Sequence, residues 1–196
     1  MKDKRLWILL GGIALIGAAF LLLNFRMAAS NTRTEKLIFN MEYEENMPAP
    51  MQRKNKIRIV LVGKSPLVKP LQRALTEKIR NAGIGEIELA QELEPIYQNP
   101  VLLVKVSKPG PIWTPFFAIS QFSVHAGYAS DGDPTFMDAI ERTHTSVGQK
   151  DVANMYAELD LNDISLGLIS RPGYHQLLAE HLAQQIITTL KDLYRV

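Results

Sequence analysis

Residues 57–79 read IRIVLVGKSPLVKPLQRALTEKI. Ile57 to Val62 is an apolar, β-branched run that closes at Gly63, the pattern of a buried strand. Ser65-Pro66 is expected to open a helix, with serine as N-cap and proline at the first helical position. Leu67, Leu71, Leu75 and Ile79 repeat every fourth residue and form one apolar stripe. Pro70 falls close enough to the helix start to trim it without breaking it. Asn81-Ala-Gly83 supplies a stop signal. A strand followed by a one-sided helix must bury that stripe on a sheet, which predicts layered α and β structure.

The same grammar continues toward the C-terminus. A short strand is expected at 86–89, and Val101-Leu-Leu-Val-Lys-Val106 is a clear one. Lys108-Pro-Gly-Pro111 is a turn, and Phe116 to Ala126 is an extended aromatic and β-branched run. The two runs predict an antiparallel hairpin with a long, proline-rich tip. Tyr128 to Pro134 reads as a loop, with Asp133-Pro134 capping a short helix through Arg142. The polar stretch Thr143–Asp151 reads as mobile. Met155, Ala157, Leu159 and Leu161 alternate with Glu158 and Asp160, so 154–161 is a half-buried strand that 164–169 prolongs. Leu178, Leu182, Ile186 and Leu190 make the second long helical stripe, with Pro172-Gly173 at its start. The expected fold is α+β: a two-layer sandwich of a small mixed sheet with two long helices on one face. This order of elements, over the 140 residues 57–196, resembles the small β-α-β-β-α modules of bacterial envelope assembly factors, including lipopolysaccharide-assembly lipoproteins. The resemblance implies a fold and carries no residue roles across. Such lipoproteins attach through a lipidated cysteine, and this sequence has no Cys.

Upstream, Leu6 to Leu23 reads LWILLGGIALIGAAFLLL, eighteen residues without a polar side chain, and Asn24-Phe25 extends it to twenty. A helix of that length spans about 30 Å, the hydrocarbon thickness of a bilayer. Residues 6–25 therefore predict a transmembrane signal anchor after a basic tail, 1–5. The rival is a cleaved signal peptide ending at Ala28-Ala29-Ser30. The apolar run is too long for its usual core of roughly 7–15 residues, and Arg26-Met27 intervenes. Basic residues flank the run on both sides but are denser before it, which favours a cytoplasmic N-terminus and a domain outside. The lack of Cys and of any Asn-x-Ser/Thr sequon suits a bacterial envelope. Gly11, Ala14 and Ala18 share one face of the helix and would let another helix approach closely.

Residues 26–56 read as a stalk or linker. Thr32-x-x-Glu35 suggests a capping box with a turn or two of helix, Glu42, Glu44 and Glu45 form an acidic cluster, and Met47-Pro-Ala-Pro-Met51 breaks any helix. Leu37, Ile38, Phe39 and Met41 give the same segment an alternative use as a partner-binding strip. The remainder, 57–196, is a soluble α+β domain long enough for one real core.

The charge balance supports that division. The 196 residues net +2, but residues 1–26 hold four basic side chains against one acidic, +3, leaving −1 for the other 170. The positive charge marks the flanks of an anchor, and no basic stripe follows residue 56, which disfavours nucleic acid as a partner. The absence of Cys excludes thiolate catalysis, cysteine zinc sites and iron–sulfur ligation.

Motifs for chemistry are missing. His175 and His181, six residues apart on a helix, point about 120° from each other and cannot form an i, i+4 zinc pair. Asp131-Gly-Asp133 lacks the remaining ligands of a calcium loop, and capping explains Asp133. No nucleophile elbow or phosphate loop is present, and no metal or other cofactor is expected. The distinctive surface candidate is Pro109-Gly-Pro-Ile-Trp-Thr-Pro-Phe-Phe117, where Ile112, Trp113, Phe116 and Phe117 either anchor a partner or fold back as core. The expected function is that of a non-enzymatic, membrane-anchored accessory or scaffolding protein, with the bilayer and a protein as partners. The alternative is a ligand-binding or hydrolytic site assembled in space from His125, Asp131, Asp133 and His144.

Overall fold

A computed structural model describes residues 2–23, 25–39, 56–90, 92, 94–107, 111–143 and 153–194. The elements in chain order are α1 (Lys2–Leu23), β1 (Phe25–Phe39), β2 (Lys56–Val62), α2 (Val68–Ala82), β3 (Glu86–Ala90), β4 (Val101–Val106), β5 (Ile112–Trp113), β6 (Phe117–Ala129), α3 (Thr135–Thr143), β7 (Asn154–Leu168) and α4 (Arg171–Tyr194). The protein is α+β. Its mixed sheet runs β1-β7-β6-β4-β2-β3, and the short β5 pairs with β6 off that path. The β2–β3 and β2–β4 pairs are parallel, while β4–β6, β5–β6, β6–β7 and β1–β7 are antiparallel.

The expected strand–helix unit forms, with one shift. Helix α2 begins at Val68 rather than at Pro66, because Ser65 first closes a turn: its carbonyl accepts the Val68 N–H at 3.1 Å and its Oγ the Leu67 N–H at 3.3 Å. At the other end Gly83 adopts φ +66 and closes the helix, as the stop signal requires. The hairpin of β4 and β6 forms in the expected antiparallel sense. The two segments expected at 154–161 and 164–169 are one unbroken fifteen-residue strand, β7.

Alternation along the strands sorts the side chains onto two faces. One face, with Ile57, Ile59, Leu102, Val104, Phe122, Val124, Leu159 and Leu161, packs under the stripes of α2 and α4. The opposite face carries a smaller cluster in which Val60, Leu103 and Tyr156 meet Met137 and Ile140 of α3. Helix α3 therefore adds a partial third layer to the expected two. Gly127 makes room for it, since a Cβ there would lie 2.1 Å from Met137 Sδ. The rest of this second face, the open face, has no helix over it among the described residues.

Two N-terminal findings alter the sequence picture. Strand β1 takes up residue 25 of the expected anchor and 26–39 of the segment read as a stalk, and pairs with β7 along its whole length, from Phe25 opposite Leu168 to Phe39 opposite Asn154. The Thr32-x-x-Glu35 turn of helix is replaced by strand. Polar and charged residues suit a sheet edge, where they discourage pairing with other chains. The acidic cluster at 42–45 and the proline segment at 47–51 lie outside the described residues. Helix α1 occupies the expected anchor position, and only residue 24 separates it from β1. Among the described residues no helix is long and apolar enough to cross a membrane. The portion of α1 with described side chains, 6–19, is fourteen residues, about 21 Å of helix.

Candidate functional site

The open face changes character along its strands. At the end nearest α1 it is apolar. Ile112 of β5 pairs with Ile119 of β6, which pairs with Ile164 of β7, and one row further out Phe117 pairs with Leu166. These five side chains are exposed by 65%, 43%, 54%, 41% and 58% respectively. Phe116, in the turn between β5 and β6, is 69% exposed. Two residues beyond Ile119 and Ile164 the next row is Gln121 opposite Asn162, both exposed, and then Ser123 opposite Asp160, which are hydrogen-bonded. The apolar belt therefore stops abruptly at a polar row.

The turn that presents Phe116 is held tightly. Thr114 Oγ1 accepts the Phe117 N–H at 3.0 Å and donates to the Phe117 carbonyl at 2.7 Å, and the Thr114 N–H donates to the same carbonyl at 2.8 Å. The Gly167 N–H donates to the Phe116 carbonyl at 3.0 Å and ties the turn to the end of β7.

The expected quartet of Ile112, Trp113, Phe116 and Phe117 is thus divided. Trp113 turns inward: its Nε1–H donates to the Ile169 carbonyl at 3.0 Å and its ring packs against the main core. The other three point outward. Alternation predicts this split once Ile112-Trp113 is read as strand, but a two-residue strand between prolines gives almost no periodic signal. Ile119, Ile164 and Leu166 join the outward set because of sheet register, which sequence alone does not supply.

Farther along the open face lies a polar cluster around His125. His125 Nδ1 and Tyr156 Oη are hydrogen-bonded at 2.6 Å. Glu141 of α3 stands 3.7 Å from Nδ1, and Glu158, the cross-strand neighbour, 4.0 Å from Nε2. Lys105, opposite His125 on β4, donates to Asp138 at 2.7 Å and to Glu141 at 3.2 Å. Burial disfavours the Lys105 ammonium, but the two carboxylates outweigh it and its pKa rises. Burial, with Glu141 and then Glu158 nearby, pushes the Tyr156 phenol well above its usual range, so its O–H stays protonated. These groups satisfy one another and fasten α3 to the sheet.

The alternative site does not gather here. Asp131 Oδ1 accepts the Asp133 N–H, and Asp133 Oδ1 accepts the Thr135 N–H, so both carboxylates serve the turn and the start of α3. His125 lies four residues, about 13 Å, inside the end of β6. His144 lies outside the described residues. Among the described residues no group of acidic and histidine side chains could hold a metal ion. A shallow cleft of about 280 Å³ beside the start of α3 is lined by Glu94, Pro95, Leu103, Pro134, Thr135 and Asp138, and Asp138 is already paired with Lys105.

A second polar group is buried under α4. Asp163, fully buried, accepts from Tyr174 Oη at 2.7 Å and Ser165 Oγ at 2.6 Å, and Ser120 bonds Tyr174 at 2.9 Å. It fixes the start of α4 on the sheet. On α1, Gly11 has nothing within 4 Å of a virtual Cβ. Ala14 and Ala18 are exposed on the same helix, so the small-residue face is uncovered by the described residues.

No protein-family model and no curated protein matches the chain. Among solved structures, the PelC L103M dodecamer from Paraburkholderia phytofirmans is similar at 13% identity and a TM-score of 0.42, with 82% of this chain and 97% of that one covered. Lipoprotein GNA1162 from Neisseria meningitidis is similar at 14% identity and a TM-score of 0.35, with 68% of this chain and 99% of that one covered. Likenesses of this strength carry no residue role to this chain.

Proposed function

We propose that this chain is a single-pass, membrane-anchored accessory protein. Helix α1 sits in the bilayer, and the α+β domain lies directly at the membrane surface on the extracytoplasmic side. The carrying observation is the state of α1. Leu6, Trp7, Ile8, Leu9 and Leu10 are consecutive, cover every face of a turn, and are between 48% and 75% exposed. A helix that is apolar on every side and covered by none of the described residues belongs in lipid or against other apolar helices. The unpolar run continues in sequence to Leu23, which brings its length to that of a bilayer span.

The placement of α1 also shapes the role. With one residue between helix and strand, the domain has no reach. It works at the membrane plane, and the polar part of its open face, Gln121 and Asn162, is available to a protein partner in the same membrane complex. The mutually satisfied His125 cluster and the turn-bound Asp131 and Asp133 give no reason to add catalysis to that role.

Alkaline carbonate extraction tests the anchor. The chain is expected to remain with the membrane and leave it only in detergent, whereas a Leu10→Arg, Leu15→Arg variant is released. Release of the unaltered chain by carbonate overturns the anchor. The lack of Cys makes topology easy to read. Arg73→Cys, at an exposed position on α2, is expected to react with an impermeant maleimide in intact cells. Protection until the cells are lysed reverses the orientation. A photo-crosslinking residue at 121 or 162 is expected to trap one reproducible membrane partner, and trapping none removes the docking role from that face.

A further inference from the structure

We infer that the apolar end of the open face is a second membrane contact, seated in the lipid interface beside α1. The inference rests on the proposed anchor and assigns the occupant of the belt. The β1–β7 register carries it. Phe25 stands opposite Leu168, Met27 opposite Leu166 and Ala29 opposite Ile164, while α1 ends at Leu23. The belt rows on β6 and β7 therefore lie level with residues 25–29, within six chain residues of the helix end. The span from residue 25 to residue 29 is about 13 Å of strand. If α1 crosses the hydrocarbon, residue 25 lies at its boundary, and Phe116, Phe117, Ile119, Ile164 and Leu166 fall at the depth where amphipathic surfaces bury about 5–10 Å into the headgroup and acyl boundary.

The change of composition falls where that geometry requires it. The row at Gln121 and Asn162 is level with residue 31, one step beyond Ala29, and it is polar. A protein-docking patch has no need to end in a line at constant distance from the anchor, but a lipid contact does. The Phe116 turn lies at the extreme end of the sheet, because the Phe116 carbonyl accepts from Gly167, next to Leu166. Its hydrogen bonds to Thr114 keep it preformed, so little ordering entropy opposes insertion. Exposed aromatic and aliphatic side chains of this kind gain free energy in proportion to the apolar area withdrawn from water.

The test uses full-length chain in vesicles of phosphatidylcholine and phosphatidylglycerol. Single cysteines are placed at Phe116, Gln121 and Leu15 and labelled with an environment-sensitive fluorophore. A lipid nitroxide high on the acyl chain is the quencher. The label at 116 is expected to shift to the blue and lose about half its emission or more, the label at 121 to remain bright, and the label at 15 to be shielded from an aqueous quencher. A bright, water-accessible label at 116 with label 15 shielded overturns the belt and leaves the anchor standing. Accessibility of label 15 to the aqueous quencher overturns the anchor itself. A blue shift at 116 without lipid quenching shows that protein covers the belt, a second copy or a partner, and also overturns the inference. Phe116 is mostly exposed, so Phe116→Cys leaves the fold intact and unchanged circular dichroism checks this.

Discussion

The Gly167 N–H reaches across to the carbonyl of Phe116 at 3.0 Å, so an exposed aromatic turn is fixed to the last residues of the longest central strand. Thr114 supplies the other half of the restraint, with its hydroxyl donating to one Phe117 backbone group and accepting from another. Thr114→Val keeps the shape and removes the hydroxyl. The expected cost is about 1 kcal/mol, since an intramolecular hydrogen bond contributes about that much net. Urea unfolding of the variant gives the value through its midpoint at unchanged slope. Amide exchange at Phe117 is expected to quicken more than exchange at Leu103, because the loss is local.

The strand–helix unit at 57–83 and the stripe of α4 were legible in sequence because both signals are periodic and local. Val101–Val106 was legible for the same reason. Strand β1 was not. Arg26, Asn31, Arg33, Glu35 and Lys36 make it too polar to read as a strand, and it exists because β7 offers fifteen residues of unpaired edge. The apolar belt was half legible: Ile112, Phe116 and Phe117 are one cluster in sequence, but Ile119, Ile164 and Leu166 reach it only through register. The partners of His125 come from β7 and α3, far from it in the chain, and no spacing announces them.

Trp113 and its neighbours offer a direct check on the division between inward and outward side chains. Trp113→Phe leaves the Ile169 carbonyl without its indole donor and thins the packing against the core. Destabilisation of about 1–2 kcal/mol is expected. Ile112→Ser and Phe116→Ser, at 65% and 69% exposure, are expected to change stability by no more than about 0.5 kcal/mol. Thermal melts of the three variants in detergent decide the matter. An equal loss at Ile112 and Trp113 contradicts the assignment of faces.

Gly132 holds the connection between β6 and α3. It adopts φ +81, and a Cβ there would meet the Tyr97 carbonyl at 2.1 Å and the Asn99 carbonyl at 2.8 Å. Its own carbonyl accepts the Tyr97 N–H at 2.9 Å, so backbone must move if the residue grows. Gly132→Ala is expected to cost about 3 kcal/mol, combining left-handed strain with a clash that no side-chain rotation relieves. A melting temperature within a degree or so of the parent chain contradicts the close approach.

His175 gives the domain an acid sensitivity whose sign follows from its surroundings. It lies on α4 at 7% exposure, and its Nε2 has no hydrogen-bond partner among the described residues. Burial, aided by the positive charge of Arg171, holds its pKa below the ordinary 6.5. As pH falls, the unfolded chain takes up a proton at this position before the folded chain does. The stabilising contribution of the neutral ring is therefore complete above 6.5 and is lost as pH drops toward the lowered folded value. His175→Leu removes the titration at a buried position. Its urea midpoint is expected to fall less than that of the parent chain as pH is lowered through 6.5. Parallel declines in the two chains would assign the acid response to other groups.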